Sequence, residues 1–184
     1  MTTAYVSYYD VINEQKAKSL MQASSEILAQ TKASKMHFLF SSQGGSVDAG
    51  VVLYNFFRAL PVPMVMHNIG SIDSIANVIF LAADERYANA NSTFLYHGIN
   101  WNFSKGSSLS WTQLQETVSR FKGDEGKIID IISQRTALTA EELKALFHQG
   151  ETKGAAFAEE KGIIQSVEDI KVPAGAPFFA LNFA

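Results

Sequence analysis

The chain has 184 residues, with 15 Lys plus Arg against 18 Asp plus Glu and a formal net charge of −3, a balance that excludes binding nucleic acid through clustered basic side chains. Hydrophobic residues make up 47% and charged residues 18%, which excludes a disordered chain and fits one globular domain whose core needs no covalent staple. There is no cysteine, so thiol nucleophiles, redox pairs and zinc ribbons are excluded.

Residues 4–9 open the chain with an apolar-rich stretch. Ala17, Leu20, Met21, Ser24, Ile27 and Leu28 then recur at three-and-four spacing, which predicts the buried stripe of an amphipathic helix. Residues 36–40 form a compact apolar run, read as a strand covered on both faces, and end in Ser41-Ser42-Gln43-Gly44-Gly45. Asp48 opens a second helical pattern through Val51, Leu53, Tyr54, Phe57 and Leu60, which Pro61 stops. The cycle repeats: residues 62–66 read as strand, Asn68-Ile69-Gly70-Ser71 as turn, and 74–83 as a nearly all-apolar, hence central, helix. Residues 93–97 predict another strand, and 98–110 a Gly/Ser-rich loop. The rest is mainly helical. Leu114, Val118, Phe121, Ile128, Ile129, Ile131 and Ile132 mark a long helix over 111–136, interrupted by Gly123 and Gly126. Thr139 and Glu142 have the spacing of a capping box. A last helix over 155–161 stops at Gly162, with Ile163, Ile164 and Val167 as a closing strand. The tail, 172–184, carries no assignable element. Alternating strands and helices predict an α/β fold with parallel pairing, right-handed crossovers and helices covering the sheet. No apolar run reaches the about 18–20 residues of a membrane span, and the first ten residues lack a signal peptide's basic start and apolar middle. The expected location is cytoplasmic, with neither membrane nor nucleic acid as partner.

Chemistry is best sought in Gly70-Ser71-Ile72-Asp73-Ser74-Ile75-Ala76, a glycine-bearing turn that runs into an apolar helix. A serine there meets the free N–H groups and positive dipole end of a helix, which suit an oxyanion; a plain N-cap is the competing explanation. Gly44-Gly45 is a second strand-to-helix turn whose backbone can approach a ligand closely, and His97 ends the next strand. Sites of open parallel sheets lie beyond the carboxyl ends of the strands, so these three strand ends converge on one crevice. His37, His67 and His148 read as structural. The glycines make no phosphate loop, and the histidines lack metal-ligand spacing.

These segments resemble the Clp protease proteolytic subunit family, within the ClpP/crotonase-like fold. Ser42-Gln43-Gly44-Gly45-Ser46-Val47-Asp48-Ala49-Gly50 is similar to the family pattern Ser-Pro-Gly-Gly-Ser-Val-x-x-Gly. Gly70-Ser71-Ile72-Asp73-Ser74-Ile75-Ala76 is similar, more loosely, to its nucleophile motif Gly-x-Ala-x-Ser-Met-Gly. The stretch from Arg86 through Leu95-Tyr96-His97 and the close Ala158-Glu159-Glu160-Lys161-Gly162-Ile163-Ile164 resemble family segments in collinear order. The resemblance implies repeated β-β-α spiral units and a serine peptidase acting through an acyl-enzyme. Ser74 would be the nucleophile, His97 its general base, and the backbone N–H groups of Gly45 and Ile75 the oxyanion hole. The family's third triad residue, an aspartate, falls at Gly150, and Glu151 is the nearest carboxylate. Asp73 stands where the family has a small residue, and Gln43 replaces its proline. No cofactor and no metal are expected.

The resemblance further implies peptide or unfolded-protein substrates and a homo-oligomeric ring, with the 111–136 helix joining stacked rings. A Clp-type ATPase is the partner it would add, and the short stretch before the first strand weighs against that docking. Two other functions stand beside the peptidase: a catalytically impaired ClpP-like scaffold subunit whose triad has decayed at Gly150, and a crotonase-like acyl-CoA enzyme.

Overall fold

The computed structural model describes residues 2–100, 106 and 108–182. In chain order, β1 (Thr3–Tyr9), α1 (Glu14–Thr31), β2 (Lys35–Ser42), α2 (Val47–Arg58), β3 (Met64–Asp73) and α3 (Ala76–Phe80) form the first half. They are followed by β4 (Glu85–Ala88), β5 (Thr93–Leu95), α4 (Trp111–Arg135), α5 (Ala140–Gln149), β6 (Thr152–Gly154), α6 (Ala155–Glu160), β7 (Ser166–Val167) and β8 (Phe178–Leu181). Among the described residues the strands form one sheet in the order β6-β5-β3-β2-β1-β8, with β4 pairing β3 and carrying β7. All pairings are parallel except β5 with β6. This is the α/β sheet the sequence predicts.

Local chemistry sets the ends of the helices. Asn13 accepts the Lys16 N–H at 2.8 Å and starts α1, which buries Ala17, Leu20, Ser24 and Ile27. Ser46 caps α2, whose buried residues are Ala49, Gly50, Leu53 and Phe57. Both reciprocal bonds of a capping box are present at Ser110/Gln113 for α4 and at Thr139/Glu142 for α5. The sheet is more one-sided than the sequence suggests. In β2, Met36, Phe38 and Phe40 are fully buried, whereas the alternate residues Lys35, His37 and Leu39 are half-buried. Each fully buried large apolar side chain contributes about 1.5–3 kcal/mol relative to exposure. No helix among the described residues is long and apolar enough to cross a membrane.

Several local readings are corrected: β5 ends at Leu95, two residues short of His97, and of the expected closing strand only Val167 lies in β7, Ile163 and Ile164 preceding it. The expected turn at Asn68-Ile69-Gly70-Ser71 is strand: β3 continues to Asp73, and its pairing jumps from Phe40↔Asn68 to Ser42↔Ile72. Four residues of β3 thus span two of β2, a bulge that absorbs the turn-like residues. Side chains hold it. Asn68 Oδ1 accepts the Gly70 N–H at 3.0 Å and Asn68 Nδ2 donates to Thr93 O at 2.9 Å, while Ser41 Oγ both accepts from Ser71 N and donates to Ser71 O at 3.1 Å. The regular helix after it is correspondingly short, with turns on either side. β4 is a strand that residues 85–88 did not announce. The tail supplies β8, paired in parallel with β1 from Tyr5↔Phe178 to Tyr8↔Leu181. Of the expected 98–110 loop, residues 101–105 and 107 lie outside the described residues, as do 183–184 of the tail.

One buried cation ties the end of α3 to the C-terminal helices. Arg86, only 5% exposed, donates from Nε to Ile163 O at 2.7 Å and from Nη1 to Ala83 O at 3.0 Å, with Nη2 3.4 Å from Arg135 O and Gly162 O. Burial, and then the neighbouring Arg135, pull its pKa down to about 10. Arg135 adds bonds to Leu81 O at 3.0 Å and Ala83 O at 2.8 Å. These carbonyls end a short, wholly buried helix and would otherwise be orphaned.

Candidate active site

The site grows from the carboxyl ends of β2, β3 and β5. After β2 the chain bends at Gly44 (φ 83°) and Gly45 (φ 146°). Ile12 N donates to Gly44 O and Ser46 N to Ile12 O, both at 2.8 Å, which pins the bend against the end of β1. A Cβ on Gly45 would lie 2.1 Å from Ile12 O, and one on Gly44 2.6 Å from Asp73 O and 2.8 Å from Ser74 Cβ. Only glycines let this backbone reach the Ser74 turn.

Ser74 follows β3 directly and has φ 57°, an unusual conformation for a residue other than glycine. Its N–H donates to Leu95 O at 2.9 Å, joining the turn to the end of β5. Strain of this kind costs about 1–3 kcal/mol and persists where the surroundings over-determine it. Here α2 packs so closely on the next residue that a Cβ on Gly50 would lie 2.2 Å from Ile75 Cγ1.

Ser74, His97, Gly45 and Ile75 all line one cavity of about 440 Å³, a volume within the range of small-molecule sites. Val47, Ile99, Phe121, Ile128, Ile132 and Phe147 give it an apolar wall. Asp48, Arg120 and Asp124 also line it: Arg120 pairs with Asp48 on α2 and lies 3.8 Å from Asp124, which Lys127 contacts at 3.0 Å. Among the described residues, the N–H groups of Gly45 and Ile75 have no protein acceptor. Asp73, which pairs with Leu95 across β3 and β5, is half-buried and outside the cavity lining. Burial raises the Asp73 carboxyl, while the Ser71 hydroxyl and the His97 charge pull it back.

The third group of the expected triad is placed differently from the other two. His97 Nδ1 lies 2.7 Å from its neighbour's carbonyl, Gly98 O, whereas the Glu151 carboxylate pairs with Lys153 Nζ at 2.9 Å and is largely exposed. The sheet gives the reason. Antiparallel β5 and β6 pair Thr93↔Gly154, Phe94↔Lys153 and Leu95↔Thr152. The pairing stops there: beyond it Gly98 N donates to Phe147 O at 3.2 Å, and Glu151 lies between the end of α5 and β6, where its carboxylate meets Lys153. Gly150 itself closes α5 in the left-handed conformation, φ 60°, with its N–H on Leu146 O.

A further member of the site went unread in the sequence. Asn77 is 1% exposed, and its Nδ2 lies within 3.0–3.2 Å of Ile72 O, Ser74 O and Leu95 O. A polar residue amid the apolar run 75–83 was the available signal, since a buried amide must find partners.

Comparison with known proteins decides the relationship. A sequence model of the Clp protease family matches residues 1–171. The chain belongs to the Clp protease family. It is 31% identical over 88 residues to an ATP-dependent Clp protease proteolytic subunit 2 of Pseudomonas aeruginosa, covering 47% of this chain and 43% of that one. It is 27% identical over 135 residues to an ATP-dependent Clp protease proteolytic subunit 1 of Leifsonia xyli subsp. xyli, covering 72% and 64% respectively. The aligned stretches thus span less than two thirds of these curated relatives' own lengths. Among solved structures, a mutant of ClpP1 from Listeria monocytogenes superposes with a TM-score of 0.78 at 16% identity, covering 91% of this chain and 92% of that one. This likeness bears on the fold, and it agrees with the ClpP-like architecture expected from the motifs.

Proposed function

We propose that this Clp-family chain is a serine peptidase subunit that hydrolyses peptide bonds through an acyl-enzyme at Ser74. The carrying observation is the shared cavity, lined by a serine on a strained turn, a histidine just beyond the neighbouring strand and two residues whose backbone N–H groups have no acceptor among the described residues. In this mechanism His97, whose Nδ1 lies against Gly98 O, takes the Ser74 proton through Nε2 as Oγ attacks the scissile carbonyl. The N–H groups of Gly45 and Ile75 receive the resulting oxyanion, and His97 returns the proton to the leaving amine. In this reading Glu151 stays with Lys153, and Gly98 O alone orients the imidazole, so turnover is slower than with a full triad. The apolar wall takes a substrate side chain.

The assembled form is a ring of identical subunits acting on peptides or unfolded proteins in the cytoplasm. The exposed apolar stripe Trp111, Leu114 and Val118 on α4 supplies contacts between copies. Ser74→Ala should abolish hydrolysis of fluorogenic peptides while leaving assembly unchanged, and unaltered turnover would refute the assignment.

One observation favours a second reading, the catalytically impaired scaffold. Among the described residues His97 has no hydrogen bond to a carboxylate: its Nδ1 lies on Gly98 O, Gly150 has no side chain and Glu151 is paired with Lys153. The scaffold predicts no peptide turnover by the wild-type assembly at any substrate concentration. No observation favours the acyl-CoA reading.

A further inference from the structure

Asn77 is where the two halves of the site are tied together. Its Nδ2 donates toward Ile72 O at 3.2 Å, Ser74 O at 3.1 Å and Leu95 O at 3.0 Å. A primary amide has two hydrogens for these three carbonyls, so one is shared. The contacts also fix its orientation: turned over, Oδ1 would face three carbonyl oxygens. Oδ1 is itself buried and has no partner among the described residues. Such an unpaired group is costly in a native core, and here the cost is set against the three carbonyls its other end serves.

The three acceptors are not equivalent. Ile72 lies in β3 just before the strained turn, Ser74 is the turn itself, and Leu95 ends β5 two residues before His97. Leu95 O accepts the Ser74 N–H as well, at 2.9 Å. A single amide therefore bridges the serine's main chain and the strand that presents the histidine. Building on the Ser74–His97 assignment, we infer that Asn77 is a positioning residue that sets the separation of the Ser74 hydroxyl from the His97 imidazole. It acts through backbone carbonyls and lies outside the cavity lining.

Misplacement of reacting groups by about 1 Å can cost about 10²-fold in rate. Asn77→Ala in the full-length assembly should therefore lower kcat for a fluorogenic peptide, and the labelling rate of Ser74 by a fluorophosphonate, by about 10- to 100-fold with KM little changed. Asn77→Ser, which keeps one donor, should recover part of that loss. Val6→Ala, in the core of β1, serves as the stability control: matched to a similar fall in Tm, it should leave kcat within about twofold. Equal kcat in Asn77→Ala and the control overturns the inference, as does a loss carried by KM. If Asn77→Ala does not fold, an unchanged kcat in Asn77→Ser overturns it instead. Retention of turnover in Ser74→Ala would bring down the underlying assignment, whereas an inactive Ser74→Ala beside a fully active Asn77→Ala removes the clamp alone.

Discussion

Gly150 is where the family resemblance sets the third triad residue, an aspartate, and a Cβ there meets nothing within 4 Å. Aspartate tolerates the left-handed conformation better than most residues. Gly150→Asp should therefore fold and raise kcat by about tenfold or more, measured with a fluorogenic peptide; a correctly folded variant with unchanged kcat would show that this slot does not address the imidazole. Gly45 is the opposite case. Gly45→Ala drives a Cβ into Ile12 O, and the bend must move. The expected outcome is a loss of roughly 10²- to 10³-fold in kcat, the usual consequence of removing one oxyanion donor, together with a lower denaturation midpoint. Glu151→Gln, by contrast, should leave kcat within about twofold, because its carboxylate is engaged with Lys153.

Between elements, Arg86 serves several chain segments at once. Arg86→Ala should destabilise the fold by about 3–5 kcal/mol in urea unfolding, because it leaves buried carbonyls unpaired. Periodicity made α1, α2, α4 and α5 legible, since each buries one stripe and carries a recognisable cap. The β3 bulge was hidden, because Asn68 and Gly70 have the composition of a turn and become strand only through tertiary bonds to Ser41 on β2 and Thr93 on β5. β8 was hidden for a related reason: Phe178–Leu181 is short, follows Pro173 and Pro177, and gains its meaning only from the edge of β1. In the candidate site, Ser74, His97 and the double-glycine bend, which line or border one cavity, stood out in the sequence because each follows a strand-like run. Asn77 was not, because its role exists only once β5 lies beside the Ser74 turn.

Across the molecule, a ladder of rings crosses the sheet from Tyr5 through His37 and His67 to Tyr87, with centroids 5.2, 6.0 and 6.1 Å apart. Burial first, then the neighbouring His67 and Lys35, hold His37 down to about 4, against the opposing pull of Glu85. Burial also lowers His67, and Asn89, Glu168 and Asp169 pull the other way. The unfolded chain protonates these imidazoles near 6.5. Between that value and about 4 the unfolded state therefore binds more protons, and stability must fall as the pH falls. Tm should drop on acidification from pH 7 to pH 5, and a His37→Phe, His67→Phe double variant should flatten the slope; an unchanged slope would assign the acid sensitivity elsewhere. Assembly is tested on α4, where Val118→Glu should shift the sedimentation coefficient toward smaller species. The account as a whole depends on Ser74 being an activated hydroxyl served by His97. Its most direct test is fluorophosphonate labelling of the intact assembly, with the adduct located by peptide mass spectrometry. The prediction is one adduct per subunit at Ser74, absent in Ser74→Ala and formed at least about 100-fold more slowly in His97→Ala. No adduct, or an adduct formed equally fast without the imidazole, would contradict it.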